Sequence, residues 1–291
     1  MIFIVEALLA GIIAGCSCFF PVSSMGCVVL FTHFLGFNES FLFYEMLLLG
    51  MILASVSLNY KDILRIFISL LEIIRDLFFN LGLYLRQRND RELNYRRLLT
   101  SNYQNFTVII LVSMIPVIIL GLLLNPFVRF AYNNELAAAM GFMLTALLLM
   151  VSSFVNTGDK NPKKTRTSDA VVIGVMEGFS FVPGVSKTAM GISAGYFLGL
   201  SRKMTIKYTY IISMLCMLAL LIPGRLSFSY MGGLETADLR MCIFAFLGAF
   251  ISGFFMIRYS RDHIIKNNNK VYALVNLGFA LIAACVYLIT G

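Results

Sequence analysis

Residues 177–200, EGFSFVPGVSKTAMGISAGYFLGL, are apolar at both ends and broken in the middle by Pro183, Gly184, Ser186 and Lys187. A lysine and a hydroxyl inside a run otherwise fit for a bilayer are costly there, and residues of that kind mark a function. An earlier stretch, residues 15–37, GCSCFFPVSSMGCVVLFTHFLGF, is built the same way. With Pro21 laid on Pro183, Phe19 falls on Phe181 and Ser24 on Ser186. One residue of slippage lays Phe34, Leu35 and Gly36 on Phe197, Leu198 and Gly199. Two broken apolar segments in corresponding places of two halves are the pattern of a membrane protein built from repeats, with its binding site where the breaks meet.

The rest of the chain has to suit that reading, and its composition does. Of 291 residues 59% are hydrophobic and 13% charged, whereas soluble domains carry about a quarter charged residues. The expected class is an all-α polytopic membrane protein. Its net charge of +8 reads as the cytoplasmic excess of Lys and Arg, not as a nucleic-acid surface. The six cysteines lie in or beside apolar runs without paired CxxC spacing and read as small packing residues. The first twenty residues lack a basic start and a cleavage pattern, so no signal peptide is expected.

In order, residues 1–37 read as a helical hairpin. Spans are expected at 41–58, 106–124 (kinked at Pro116), 136–155, 208–222, 241–257 and 271–290, about six in all. Residues 61–104 mix basic side chains with apolar clusters and read as a cytoplasmic connection carrying an amphipathic helix on the bilayer surface. Residues 125–135 are expected to be a short loop, Pro223 and Gly224 to end a span, and 232–238 to belong to an external loop. The second hairpin covers 170–200. The chain is thus one membrane domain, 1–291, with one repeat at about 1–124 and the other at about 136–291. If segments 61–97, 160–166, 202–207 and 258–270 are cytoplasmic, they hold nineteen of the 23 basic residues; the other side keeps Arg129, Arg225 and Arg240, and Lys187 stays in the membrane. The second hairpin then re-enters from the cytoplasm and the first from outside, so the repeats are inverted. Irregular backbone at that depth is allowed only where it lines a cavity or is covered by protein.

Placed face to face, PVSS and PGVSK offer the hydroxyls of Ser23, Ser24 and Ser186, the cation of Lys187, and the backbone N–H groups of helix starts after Pro21 and Pro183. Helix N-termini of this kind bind anions, phosphate above all, and a lysine adds a point charge. An anionic head group on an apolar tail suits such a cavity. The plain alternative is that Pro and Gly kink helices and the serines bond back to the backbone. Glu177 has three readings: base, metal ligand, or ion-pair partner of Lys187. Glu45 either faces the same cavity or sits at the outer interface. His33 reads as a packed or interfacial residue, and His263 as solvated in a basic loop.

At these residues the sequence resembles the undecaprenyl-diphosphate phosphatase family, also called BacA or UppP. PVSSMG is similar to its first signature and PGVSKTAMG to its second; FYEMLLLGMILA, MIPVIILGLL and the run from GLSRKM through KYTYIISM are similar to family segments too. The resemblance implies an inverted-repeat fold with re-entrant hairpins. It also implies a site that removes the terminal phosphate of undecaprenyl diphosphate in the bacterial plasma membrane, with a divalent cation, Mg or Ca. That recycles the carrier of cell-wall synthesis and can confer bacitracin resistance.

The family places two glutamates before the first proline motif and a histidine after it. Here those positions are Ala14, Cys18 and Cys27, and the arginine of the second motif is Lys187. Matches include Ser23, Ser24, Gly26, Gly184, Ser186, Glu45 and Arg202. The resemblance thus implies Lys187, Ser23, Gly184, Gly26 and Arg202 as binding residues and Ser24 and Ser186 as catalytic ones; Glu177, where the family often has glutamine, is expected as a replacement base, and Glu177 with Glu45 as metal ligands. Polyprenyl phosphate or diphosphate in the membrane is the expected partner, nucleic acid is not, and a homodimer is one expected assembly. Two functions follow: a divergent phosphatase whose base is Glu177, or a protein that carries or senses the lipid without cutting it.

Overall fold

Both broken stretches fold as paired short helices around an irregular tip. The computed structural model describes residues 2–36, 41–86, 95–131, 134–221, 236–266 and 268–290. Among them α1 (Ile2–Cys18) and α2 (Ser24–Phe34) form the first hairpin, and α7 (Thr167–Phe179) and α8 (Lys187–Phe197) the second. The return arms start alike. Ser23 and Ser186, both in extended backbone, are the N-caps of α2 and α8, and their side chains accept from Gly26 N at 3.1 Å and Ala189 N at 3.2 Å. They also end alike. The Phe-Leu-Gly match closes each arm on a left-handed glycine, Gly36 (φ +65°) and Gly199 (φ +73°), as helix C-termini commonly do.

Among the described residues six helices are long and apolar enough to cross a membrane. They are α3 (Phe41–Arg86), α4 (Asn102–Leu123), α6 (Glu135–Ser152), α9 (Arg202–Leu220), α10 (Thr236–Lys266) and α11 (Asn269–Thr290). The six spans expected from the sequence are therefore present. A seven-residue α5 (Asn125–Ala131) stands where a plain loop is expected. α4 runs as one helix through Pro116, where Gly174 of α7 packs against that proline and the Ser113 carbonyl. Arg88, Arg91, Arg225, Pro223, Gly224 and the part of the external loop at 232–235 lie outside the described residues; 236–238 already belong to α10.

The packing exchanges partners between halves. α1 lies on α10 and α7 on α4, while α6 lies on α11. Each hairpin is therefore followed by three long helices, α3, α4 and α6 after the first and α9, α10 and α11 after the second.

The connection expected at 61–104 is also rearranged. Its first part is no separate helix but the continuation of α3, whose 46 residues reach about 69 Å, twice a hydrocarbon core. No Pro or Gly interrupts residues 51–81, so nothing stops the helix at the membrane boundary. The extension is amphipathic, with Leu64, Phe67, Leu71 and Phe78 exposed. Its inner face is tied to α4 and α9. Lys207 donates to Asp62 at 2.8 Å and to Tyr103 at 3.0 Å, and Gln104 donates to Glu72 at 3.0 Å.

Candidate functional site

The two tips meet. A Cβ on Gly26 would lie 2.7 Å from Gly184 N, and one on Gly141 of α6 would strike the Pro183 carbonyl. Gly184 itself has φ +87°, a conformation other residues resist. Each tip is held by a side chain from a spanning helix. Thr145 of α6 donates to the Gly184 carbonyl at 3.0 Å and accepts from Ser186 N at 3.1 Å. Asn276 of α11 donates to the Pro21 carbonyl at 2.8 Å. Tyr210 of α9 adds a bond to the Phe19 carbonyl at 3.1 Å. Thr188, second residue of α8, donates to the Cys18 carbonyl at 2.9 Å and so ties the end of one hairpin arm to the start of the other's return. Phe19 and Phe181, matched in sequence, are both buried.

This arrangement leaves donors in one place. The first N–H groups of a helix have no partner within it. The serine caps take those of Gly26 and Ala189, which leaves the N–H groups of Ser24 and Met25 in α2 and of Lys187 and Thr188 in α8. The Ser24 hydroxyl, at the first position of α2, makes no hydrogen bond among the described residues, whereas the Ser23 and Ser186 hydroxyls are committed as caps. Lys187 is half-buried, and its titratable neighbours are Cys18, Cys216 and Glu177.

Glu177, at 0% exposure, is not in direct ion pair with Lys187. Its carboxylate accepts from the Ser213 hydroxyl at 3.2 Å and from the Cys216 thiol at 3.9 Å. The structure thus brings Ser23, Ser24, Gly26, Gly184, Ser186, Lys187 and, behind them, Glu177 together. It does not bring Arg202, whose guanidinium caps the end of α10 through the Ile265 carbonyl at 3.1 Å. Glu45 is buried in the second turn of α3, on an element that carries none of the other candidates. His33 pairs with Glu135 at 2.5 Å, at the far end of α2 from the tip. His263 is not solvated in a loop: it ends α10, stacks with Tyr259 and bonds Tyr272 at 2.6 Å. Among the described residues no three His, Cys, Asp or Glu side chains gather as a metal ion would need. The one carboxylate, Glu177, lies beside a lysine, a donor set that fits a divalent cation poorly.

Beside the first tip, α1, α2 and α11 enclose an apolar groove of about 640 Å³. Phe20, Val22 and Cys27 line its deep end, next to the PVSS turn, and Phe34, Ile282 and Val286 its other end. The residues the sequence reading missed, Thr145, Asn276, Ser213 and Cys216, are single polar side chains in apolar helices. Their polarity was visible, but not what each would face.

The sequence profile of the family described as bacitracin resistance protein BacA matches residues 7–282. A relative from Alkaliphilus metalliredigens named undecaprenyl-diphosphatase is 30% identical over 273 residues, 92% of each chain. One from Mesorhizobium japonicum named undecaprenyl-diphosphatase 1 is 25% identical over 295 residues, 99% of this chain and 98% of its own.

Proposed function

The chain belongs to the bacitracin resistance protein BacA family, and from that premise we propose that it binds a polyprenyl diphosphate with the head group at the two hairpin tips. The observation that carries this is the convergence of two serine-capped helix starts with Lys187 at one point in the membrane. The free N–H groups and the ammonium hold phosphate oxygens. The groove along α1, α2 and α11 holds the first isoprene units. The setting is the plasma membrane of a bacterium, and the product is the monophosphate carrier used again in cell-wall synthesis.

In the hydrolytic reading a water attacks the terminal phosphorus, the bond to the bridging oxygen breaks, and polyprenyl monophosphate leaves. Lys187 and the tip N–H groups take up the charge on the equatorial oxygens. Ser24, and Ser186 through the O–H that its cap leaves over, position the phosphate, and Glu177 receives the proton of the water.

A second reading, carriage of the lipid without hydrolysis, is favoured by one observation: both Glu177 oxygens are already engaged, by Ser213 and Cys216. The test is phosphate release from undecaprenyl diphosphate by the purified protein in detergent, with and without magnesium or calcium. Release abolished in both Lys187→Ala and Glu177→Gln supports hydrolysis. Lys187-dependent lipid binding with no release supports carriage. Binding and release that both survive Lys187→Ala would sink the site.

A further inference from the structure

Most buried hydroxyls of this bundle bond back to their own helix, as Thr32 does to the Val28 carbonyl and Thr107 to that of Tyr103, each at 2.8 Å. Thr205 and Thr209 of α9 do not. Among the described residues their hydroxyl oxygens have no hydrogen-bond partner, although the two are 1% and 0% exposed. A buried polar group left so costs about 1–3 kcal/mol, and two on one helix need a reason.

They belong to a row. Ser201, Thr205, Thr209 and Ser213 recur every fourth residue, on one side of α9. Facing them along α8 in the reverse direction come Gly195, Gly191 and Lys187, at the same spacing. A Cβ on Gly195 would lie 2.8 Å from Thr205 Oγ1, and one on Gly191 would lie 2.6 Å from both Thr209 Oγ1 and Glu177 Oε1. The orphan hydroxyls and the carboxylate therefore point into the seam that the glycines leave. At its inner end Ser213 donates to Glu177. At its outer end half-buried Ser201 caps α9 beside exposed Arg202 and Lys203, on the side that carries the basic segments.

We infer that this seam is a proton path between Glu177 and the cytoplasmic side of the membrane. Successive hydroxyls are one turn, about 6 Å, apart along a close helix contact, so transfer requires that contact to open far enough to admit one bridging water between each pair. Each hydroxyl releases its proton inward as it accepts one from behind, so one proton enters at Ser201, one O–H bond forms on Glu177, and the row is unchanged. The titratable and charged groups around Glu177 are Lys187 from α8, Cys216 and Tyr208 from α9, and Cys18 of α1 beyond Lys187. None of them extends the row outward; Tyr208, for one, bonds Ser113 of α4. The path does not depend on which lipid occupies the tips, or on whether it is cut.

The test reads the carboxyl itself. Full-length protein in liposomes is followed by infrared spectroscopy, and the protonated Glu177 band is identified by its loss in Glu177→Gln. After transfer to D2O the band shifts as the proton exchanges. The double variant Thr205→Val/Thr209→Val keeps side-chain shape and should slow that exchange roughly tenfold or more. Thr209→Ser, which keeps a hydroxyl, should exchange at the wild-type rate, and so should Thr107→Val, whose hydroxyl is turned to its own helix. Where the double variant does not fold, Thr209→Val alone is read against Thr209→Ser. Exchange at the wild-type rate in the valine variants overturns the path. So does equal slowing in Thr107→Val, or a band that never appears across the accessible pH range.

Discussion

Gly26 and Gly184 touch tip to tip, so close that a Cβ on Gly26 would lie 2.7 Å from the Gly184 nitrogen. The contact sets the first turn of α2 against the irregular tip of the second hairpin. It also explains why each signature holds a glycine beside its serine.

Alanine at Gly184 should be the more damaging change. It adds a Cβ at φ +87° and drives it against the Ala138 carbonyl. Strain of this kind costs about 1–3 kcal/mol. The expected outcome is a lower thermal midpoint in detergent for Gly184→Ala and Gly26→Ala. Gly82→Ala and Gly278→Ala, inside helices with nothing within 4 Å, should melt at or slightly above the wild type.

Thr145 and Asn276 should act as latches on the tips without touching phosphate. Thr145→Val leaves the Gly184 carbonyl and the Ser186 N–H without their partner, and Asn276→Leu does the same to the Pro21 carbonyl. Each orphaned group costs about 1–3 kcal/mol. Both variants should bind polyprenyl phosphate more weakly and melt earlier, while Thr145→Ser should stay near wild type. Equal affinity in all three would show that the tips hold their shape unaided.

Blocking the apolar groove should discriminate by chain length. Val275 of α11 lines it, and a tryptophan there fills part of the 640 Å³. Val275→Trp should weaken binding of undecaprenyl diphosphate, measured in detergent, and leave a short-chain prenyl diphosphate nearly unaffected. An equal loss for both lipids would place the tail elsewhere.

Removing Asp62 should loosen the α3 extension. Asp62→Asn weakens the bonds from Lys207 and Tyr103 that tie α3 to α9 and α4. The pair is partly exposed, so the effect on global stability should be small, on the order of 1 kcal/mol or less. Amide exchange along residues 62–80 should still speed up, because these bonds are local.

The broken segments, Lys187 and the six spans could be read from the chain alone, whereas the match of Ser24 to Ser186 is one residue off, since Ser23 is the cap that answers Ser186. In a bilayer, polar or helix-breaking residues are costly wherever they stand, so each reports on itself without knowledge of its neighbours. The pairing of Phe34, Leu35 and Gly36 with Phe197, Leu198 and Gly199 was legible for the same local reason: a helix end needs its left-handed glycine. What the tertiary structure decided is who faces whom. It laid α6 on α11, set Thr145 and Asn276 on the tips, took Arg202 to the end of α10, and gave Glu177 to Ser213 and Cys216 in place of Lys187. A hydroxyl in an apolar helix looks the same in sequence whether it bonds back to its own turn or reaches into a seam. Only the glycines packed opposite Thr205 and Thr209 separate the two cases, and they lie on another helix.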